Sequence, residues 1–233
     1  MSYSSEVVNY INRLNRMSVI DMAYLHSTRF ENIPDLAYQK IFSRLEKNGE
    51  LDRIVKGIYY KPEKGMFGNL RMSNKTISEY FIGSNNQYGL YIGYRMFNRL
   101  GLTTQISKSI IIYSRRIQQQ SKKIGNVTVK KIDIKLSEKR IKLIELLEVL
   151  QNYRFIEDLD EKNMYHYLSR IGEFYSYKDM ENILGVIKYK KRTIASLRNV
   201  LDYLGIENDL ARHLNSSSKY GELNMEELYE TVK

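Results

Sequence analysis

The sequence predicts an α+β protein whose N-terminal part is helical and closed by a hairpin. Three observations predict it. Helical periodicity recurs three times before residue 50, two β-rich runs meet at Lys56-Gly57, and from Glu138 onward the patterning is almost continuously helical. At 233 residues the chain has length for one large domain or two modest ones.

Element by element, residues 4–15 place Val7, Val8, Ile11 and Leu14 on one helical face, with Ser4 or Ser5 as N-cap. A second helix is expected from a Ser18 cap through IDMAYLH. After STRFENIP, a third runs from about Asp35 to Asn48, burying Ala37, Ile41, Phe42 and Leu45, and Gly49 stops it as a left-handed cap does. LDRIV and IYYK are rich in β-branched and aromatic residues. Glycine at the second of two connecting positions supplies the positive φ of a tight hairpin. Three helices followed by a hairpin is the plan of a winged helix-turn-helix, assigned to residues 1–65, with Pro62, Gly65 and Gly68 marking its exit.

Residues 66–233 are expected to form a mixed α/β domain with a small sheet and a largely helical C-terminal extension. SNKTISEYFI reads as a helix capped by Ser73, GSNNQYG as a loop, and LYIGYRMFNRLGL as helical up to Gly101. SIIIYS and NVTVKKIDIKL read as strands joined by a basic connector, RRIQQQSKKIG. The basic α+β part spans 66–142 and the helical part 143–233.

Lysine and arginine number 37 against 27 acidic residues, and the excess is uneven. Residues 1–65 hold 10 basic and 8 acidic side chains, residues 66–142 hold 15 and 3, and residues 143–233 hold 12 and 16. Such asymmetry suggests division of labour and a polyanionic partner. There is no cysteine, hence no disulfide framework or thiolate site. The N-terminus lacks signal-peptide organisation, and no apolar stretch approaches the roughly 20 residues of a membrane span, so a cytoplasmic protein without membrane partners is expected.

On the third helix, an inward Ala37, Ile41, Phe42 and Leu45 would turn Gln39, Lys40, Ser43 and Lys47 outward, with Arg44 at the flank. Glutamine can pair bidentately with adenine, while lysine and arginine serve guanine or phosphate. Arg53 and Lys56 would add phosphate contacts from the hairpin. The bland alternative is an ordinary solvated helix face. Arg115, Arg116, Lys122, Lys123, Lys130 and Lys131 form a second basic group in the strand–loop–strand region. It suits phosphate, an acidic protein partner, or solubility alone.

Catalytic patterns are thin. His26, His166 and His213 are dispersed and lack metal-ligand spacing. Asp133-Ile134-Lys135 matches the end of a D…(D/E)xK nuclease pattern, with only Glu79 and Glu138 as further acids in its segment. Ser216 and Lys219 have serine–lysine spacing inside NSSSKYG without a partner motif. EDLDE at 157–161 lacks the glycine and distal glutamate of a calcium loop, and no glycine loop cradles phosphate. The expectation is a protein without catalytic residues, metal or cofactor. Tyrosines such as Tyr113 and Tyr189, beside Arg115 and Lys190, are assigned to packing.

The stretches IFSRLEKNGELDRIVKGIYYKPEKGMFGNLRMS (41–73), GYRMFNRLGLTTQIS (93–107) and IKLIELLEVL (141–150) resemble the AbiEi-type antitoxins of type IV toxin–antitoxin (abortive infection) systems. A fainter echo is LARHLNSSSKYGEL, where the family tends to have proline after Leu-Asn and this chain has Ser216. The resemblance implies a winged helix that binds and represses its own operon promoter. It further implies a C-terminal domain that counters a nucleotidyltransferase toxin with no stable complex required, and no catalysis. Carried onto this chain, the DNA contacts fall at Gln39, Lys40, Ser43, Arg44, Arg53 and Lys56. Within NRLGLTTQ, Thr103, Thr104 and Gln105 are either turn chemistry or a functional surface. Alternatives are a stand-alone winged-helix regulator or nucleic-acid adaptor, and a metal nuclease using Asp133 and Lys135. Binding to DNA as a monomer or as a dimer is equally compatible with the sequence.

Overall fold

A computed structural model describes residues 2–66, 68–215 and 217–233. The fold is α+β, and the chain divides into two compact units, Met1–Tyr80 and Phe81–Lys233.

The first unit opens with helix α1 (Tyr3–Arg13), capped by the Ser2 hydroxyl rather than by Ser4 or Ser5. Its last carbonyls find a cation: Lys61 Nζ donates to Asn12 O at 2.7 Å and Leu14 O at 2.9 Å. The expected Ser18-capped helix is in fact two elements. Val19–Asp21 is strand β1, and α2 (Met22–Arg29) starts after it with the Asp21 carboxylate accepting from Tyr24 N at 3.0 Å. Helix α3 (Asp35–Lys47) follows, buried along Tyr38, Ile41, Phe42 and Leu45. Tyr38 takes the central place expected for Ala37, which is only half-buried.

Strands β2 (Asp52–Val55) and β3 (Ile58–Tyr60) form the expected hairpin, closed by Lys56 and by Gly57 at φ +82°. β1 adds to the other edge of β3, giving an antiparallel sheet of order β1-β3-β2. An aromatic file knits the core, running Phe30, Tyr38, Phe42, Tyr59 with successive centroids 5.9, 5.0 and 5.2 Å apart. This unit passes residue 65, the expected domain end. Lys64–Gly65 (β4) pairs with Gly68–Asn69 (β5), Asn69 Nδ2 donates to Asp52 at 3.5 Å, and the Tyr80 hydroxyl donates to Asp21 at 3.0 Å.

Helix α4 (Asn74–Ile82) begins after the Ser73 cap, whose hydroxyl accepts from Thr76 N at 3.1 Å. The second unit then holds a four-stranded sheet of order β6-β7-β9-β8, from β6 (Gly89–Ile92), β7 (Ile110–Ser114), β8 (Ser121–Ile124) and β9 (Val127–Lys131). Two expectations change here. LYI is strand β6, with helix α5 (Tyr94–Arg99) starting only after Gly93, and the basic connector contains edge strand β8. β7 and β9 are parallel, and the other pairs are antiparallel.

Five helices follow: α6 (Glu138–Asn152), α7 (Glu161–Ser169), α8 (Tyr177–Val186), α9 (Lys191–Tyr203) and α10 (Met225–Val232). The helical extension is therefore as expected. All eight residues from Leu143 to Leu150 of α6 are buried, so this helix is wrapped on every side, with α8, α9 and β6 among its neighbours. Among the described residues no helix is long and apolar enough to cross a membrane.

Candidate nucleic-acid interface

Because α3 buries Tyr38, Ile41, Phe42 and Leu45, its opposite side faces solvent. Gln39, Lys40, Ser43, Arg44 and Lys47 are all exposed there. They are not equivalent. Arg44 donates to the Ser4 hydroxyl of α1 and is held at the flank. The side chains of Gln39, Lys40, Ser43 and Lys47 make no hydrogen bond or ion pair among the described residues. On the hairpin, Arg53 is ion-paired with Glu46 and lies 5.5 Å from the Tyr59 ring centroid, tying β2 to α3. Lys56 is exposed at the hairpin tip, without a partner among the described residues.

One residue of this face escapes a reading that assigns apolar side chains to the core. Leu36, on the first turn of α3, is 73% exposed. Counting back one turn from Lys40 would have found it, since 36, 40, 43 and 47 form a single helical row. Nearby, the His26 ring bridges α2 and α3: Nε2 donates to Ile33 O at 2.8 Å, and Nδ1 stands 3.3 Å from Asp35 Oδ1. Histidine there is architecture.

The second basic group is split by the sheet's own alternation. On β9, Lys131 shares a face with Val127 and Val129, while Lys130 lies on the other face with Thr128. On β8, Lys122 sits opposite Val129 and Lys123 opposite Thr128, so the two lysines also face opposite ways. Arg115 and Arg116 follow β7, with the Arg116 guanidinium 3.7 Å from the Tyr88 ring centroid. Lys131 stands 3.7 Å from Asp133. These six charges do not form one flat patch.

NRLGLTTQ proves to be a latch within the second unit. Asn98 Nδ2 donates to Thr103 O at 2.8 Å and Gln105 O at 2.9 Å. The Thr103 hydroxyl donates to Glu157 O at 2.6 Å, Gln105 Nε2 donates to Asp158, and Asn163 Nδ2 donates to Gly101 O at 2.9 Å. The motif thus fastens the end of α5 to the segment entering α7.

Beside it lies a cleft of about 1090 Å³, lined among others by Tyr91, Arg99, Lys142, Glu145, His166 and Tyr167. Its charges cancel in pairs: Arg99 donates to Glu145 at 2.6 Å, Lys142 pairs with Glu138 at 2.9 Å, and Arg170 grips Glu173 at 2.8 and 2.9 Å. Burial pushes the Glu145 carboxyl above its usual range, against the opposing pull of Arg99. Burial and the Glu145 charge likewise raise the Tyr167 phenol, whose buried hydroxyl has no hydrogen-bond partner among the described residues. Among the described residues of this lining, Arg99, Lys142 and Arg170 each have an acidic partner.

Asp133 lies beyond the end of β9 rather than on it, and its side chain is 78% exposed. Among the described residues no three His, Asp or Glu side chains gather to hold a metal ion. His213 is engaged with Glu181 at 2.8 Å. Ser216 falls outside the described residues.

Fold and surface together define a two-unit α+β protein with an exposed polar row on the third helix of its first unit. The chain belongs to a family of unknown function, DUF6088, whose profile matches residues 7–146. No curated protein matches it. Among solved structures it is similar to the RV2827C protein from Mycobacterium tuberculosis, at 15% identity and a TM-score of 0.38, covering 88% of this chain and 78% of that one.

Proposed function

We propose that the protein is a non-enzymatic, autoregulating antitoxin of the AbiEi type. Its first unit acts as a winged helix that binds the double-stranded DNA of its own operon promoter, and its second unit counters a nucleotidyltransferase toxin. The observation that carries the DNA-binding part is the exposed row of α3: Lys40, Ser43 and Lys47, with Gln39 beside them, are free of partners among the described residues, and Lys56 stands equally free at the hairpin tip. Lysines without internal partners lose no ion pair on meeting phosphate, and glutamine and serine between them can read base edges. Arg44 and Arg53 would have to leave Ser4 and Glu46 to join, so they rank behind the lysines. The antitoxin part rests on the resemblance of the 41–73, 93–107 and 141–150 stretches.

The test is a pair of assays on the full chain. With DNA from upstream of its own operon at physiological salt, Lys40→Ala plus Lys47→Ala is expected to weaken binding at least about tenfold, each phosphate contact contributing to a salt-dependent affinity. Co-expressed with the neighbouring nucleotidyltransferase, the same variant is expected to rescue growth as the wild type does. Unchanged DNA binding would remove α3 from the interface. Growth arrest despite wild-type protein would remove the antitoxin role and leave a stand-alone regulator.

A further inference from the structure

The free row of α3 does not end at Lys40. Positions 36, 40, 43 and 47 succeed one another at spacings of four, three and four, which is one stripe of a helix, and Gln39 lies against it. At the top of this otherwise polar stripe stands Leu36, 73% exposed. A lone surface leucine is ordinary. This one is informative by its position: it is the second residue of the helix, in line with two lysines that have no partner among the described residues, and one turn from Gln39.

The adjoining charge pattern says which part of a duplex could lie there. Asp35 precedes Leu36 and is 79% exposed, its carboxylate 3.3 Å from His26 Nδ1. A carboxylate repels phosphate, so a DNA backbone would run past Lys40, Lys47 and Lys56 and leave the first turn of α3 over the base edges. That is also the part of a reading helix that contacts bases in known dockings. In the major groove one base alone presents an apolar group, thymine through its C5-methyl, and glutamine matches the N6/N7 edge of adenine.

We propose that Leu36 is a specificity-determining residue that packs on a thymine C5-methyl in the major groove, with Gln39 pairing to an adenine one or two base pairs away. This rests on the reading of α3 as the DNA-contacting helix. It requires the bound sequence to carry an A·T-containing step beneath the first turn of that helix.

The experiment is selection by the full-length protein from a randomised duplex library at fixed salt, with wild type, Leu36→Ala and Gln39→Ala side by side. Leu36 is exposed, so its truncation leaves the core intact. Wild type is expected to enrich a motif with a fixed thymine, and replacing that thymine by deoxyuridine, which removes only the methyl group, is expected to weaken binding at least about fivefold. Leu36→Ala should bind the thymine and deoxyuridine duplexes alike and lose the preference at that position. Gln39→Ala should relax the neighbouring adenine. An enriched motif whose binding ignores the methyl group, or a Leu36→Ala protein that keeps the thymine preference, overturns the role of Leu36 while leaving DNA binding standing. If wild type enriches no duplex at all, the DNA-binding reading falls and this inference with it.

Discussion

Glu148 shows how much a single buried group can govern. Its carboxylate accepts from the Tyr113 hydroxyl at 2.9 Å, and Asn152 Nδ2, 3.5 Å from it, donates to the Glu148 backbone carbonyl at 2.8 Å. Burial pushes its carboxyl up, while the Tyr113 hydrogen bond pulls the other way. A folded-state value above the unfolded one means that folding favours the protonated form. The stability so contributed is complete at low pH and is lost as pH rises through the raised value. Glu148→Gln keeps the shape and removes the titration. The unfolding free energy of wild type minus that of the variant should therefore fall as pH rises from about 4, the ordinary glutamate range, and then level off. Denaturant titrations across that range read it directly, and a flat or rising difference would be inconsistent with a proton-favouring site. Gly89 governs by space. A Cβ there would stand 2.3 Å from Tyr113 O and 2.7 Å from Phe81 O, both backbone atoms that cannot step aside. Gly89→Ala should lower unfolding free energy by about 1–3 kcal/mol or more, measured by urea denaturation.

At the scale of elements, what was legible in the sequence is what is encoded locally. The Lys56-Gly57 hairpin was readable because its turn chemistry lies in two adjacent residues, and the outward side of α3 because helical periodicity needs no partner. β1 and β6 were not, since VID and LYI are short runs whose strand character comes from pairing: Val19 with Tyr60, and Leu90 with Tyr113. β8 was hidden for another reason. SKKI lies on an edge with three of its four residues exposed, so it carries no apolar signal. The latch role of NRLGLTTQ was unreadable because its acceptors and donors, Glu157, Asp158 and Asn163, sit far along the chain. Of the candidate interface, the polar members follow from residue type, whereas Leu36 is reached only by extending the helical row one turn back from Lys40. The misread second helix supplies a test at this scale. Asp21 ends β1, caps α2 and accepts from Tyr80. Asp21→Ala should destabilise the protein by about 0.5–2 kcal/mol through the cap alone, and by somewhat more with the Tyr80 bond. Asp21→Ser, which keeps a capping oxygen, should recover part of the loss in thermal melts. Equal losses for both would move the effect from the cap to the Tyr80 contact.

For the whole molecule, the net charge and the candidate contact surface lie in different units. Residues 1–80 carry 12 basic and 9 acidic side chains, leaving 25 and 18 to residues 81–233. Charge excess alone would send a polyanion to the second unit. There, however, Lys122 and Lys131 lie on one side of the sheet and Lys123 and Lys130 on the other, and the cleft's cations are matched by Glu138, Glu145 and Glu173. Net charge of that kind steers encounter without making contacts, whereas the lysines of α3 and the hairpin, without partners among the described residues, are placed to make them. The two roles separate in salt, because only phosphates neutralised in the complex release counterions, each adding about −0.9 to the slope of log K against log salt on duplex DNA. If α3 and the hairpin meet phosphate as proposed, Lys40, Lys47 and Lys56 alone would give a slope of about −2.7, and recruiting Arg44 and Arg53 would bring it to about −4.5. Fluorescence anisotropy of the full chain with a duplex from its own promoter should fall within that span, and Lys40→Ala should reduce the magnitude by about 0.9. Lys122→Ala with Lys123→Ala should leave the slope unchanged, since neighbours facing opposite ways on an edge strand cannot both meet one backbone. A slope steeper than about −7 that flattens on removing Lys122 and Lys123 would place the contacts on the sheet instead, and α3 would lose its assignment as the anchor.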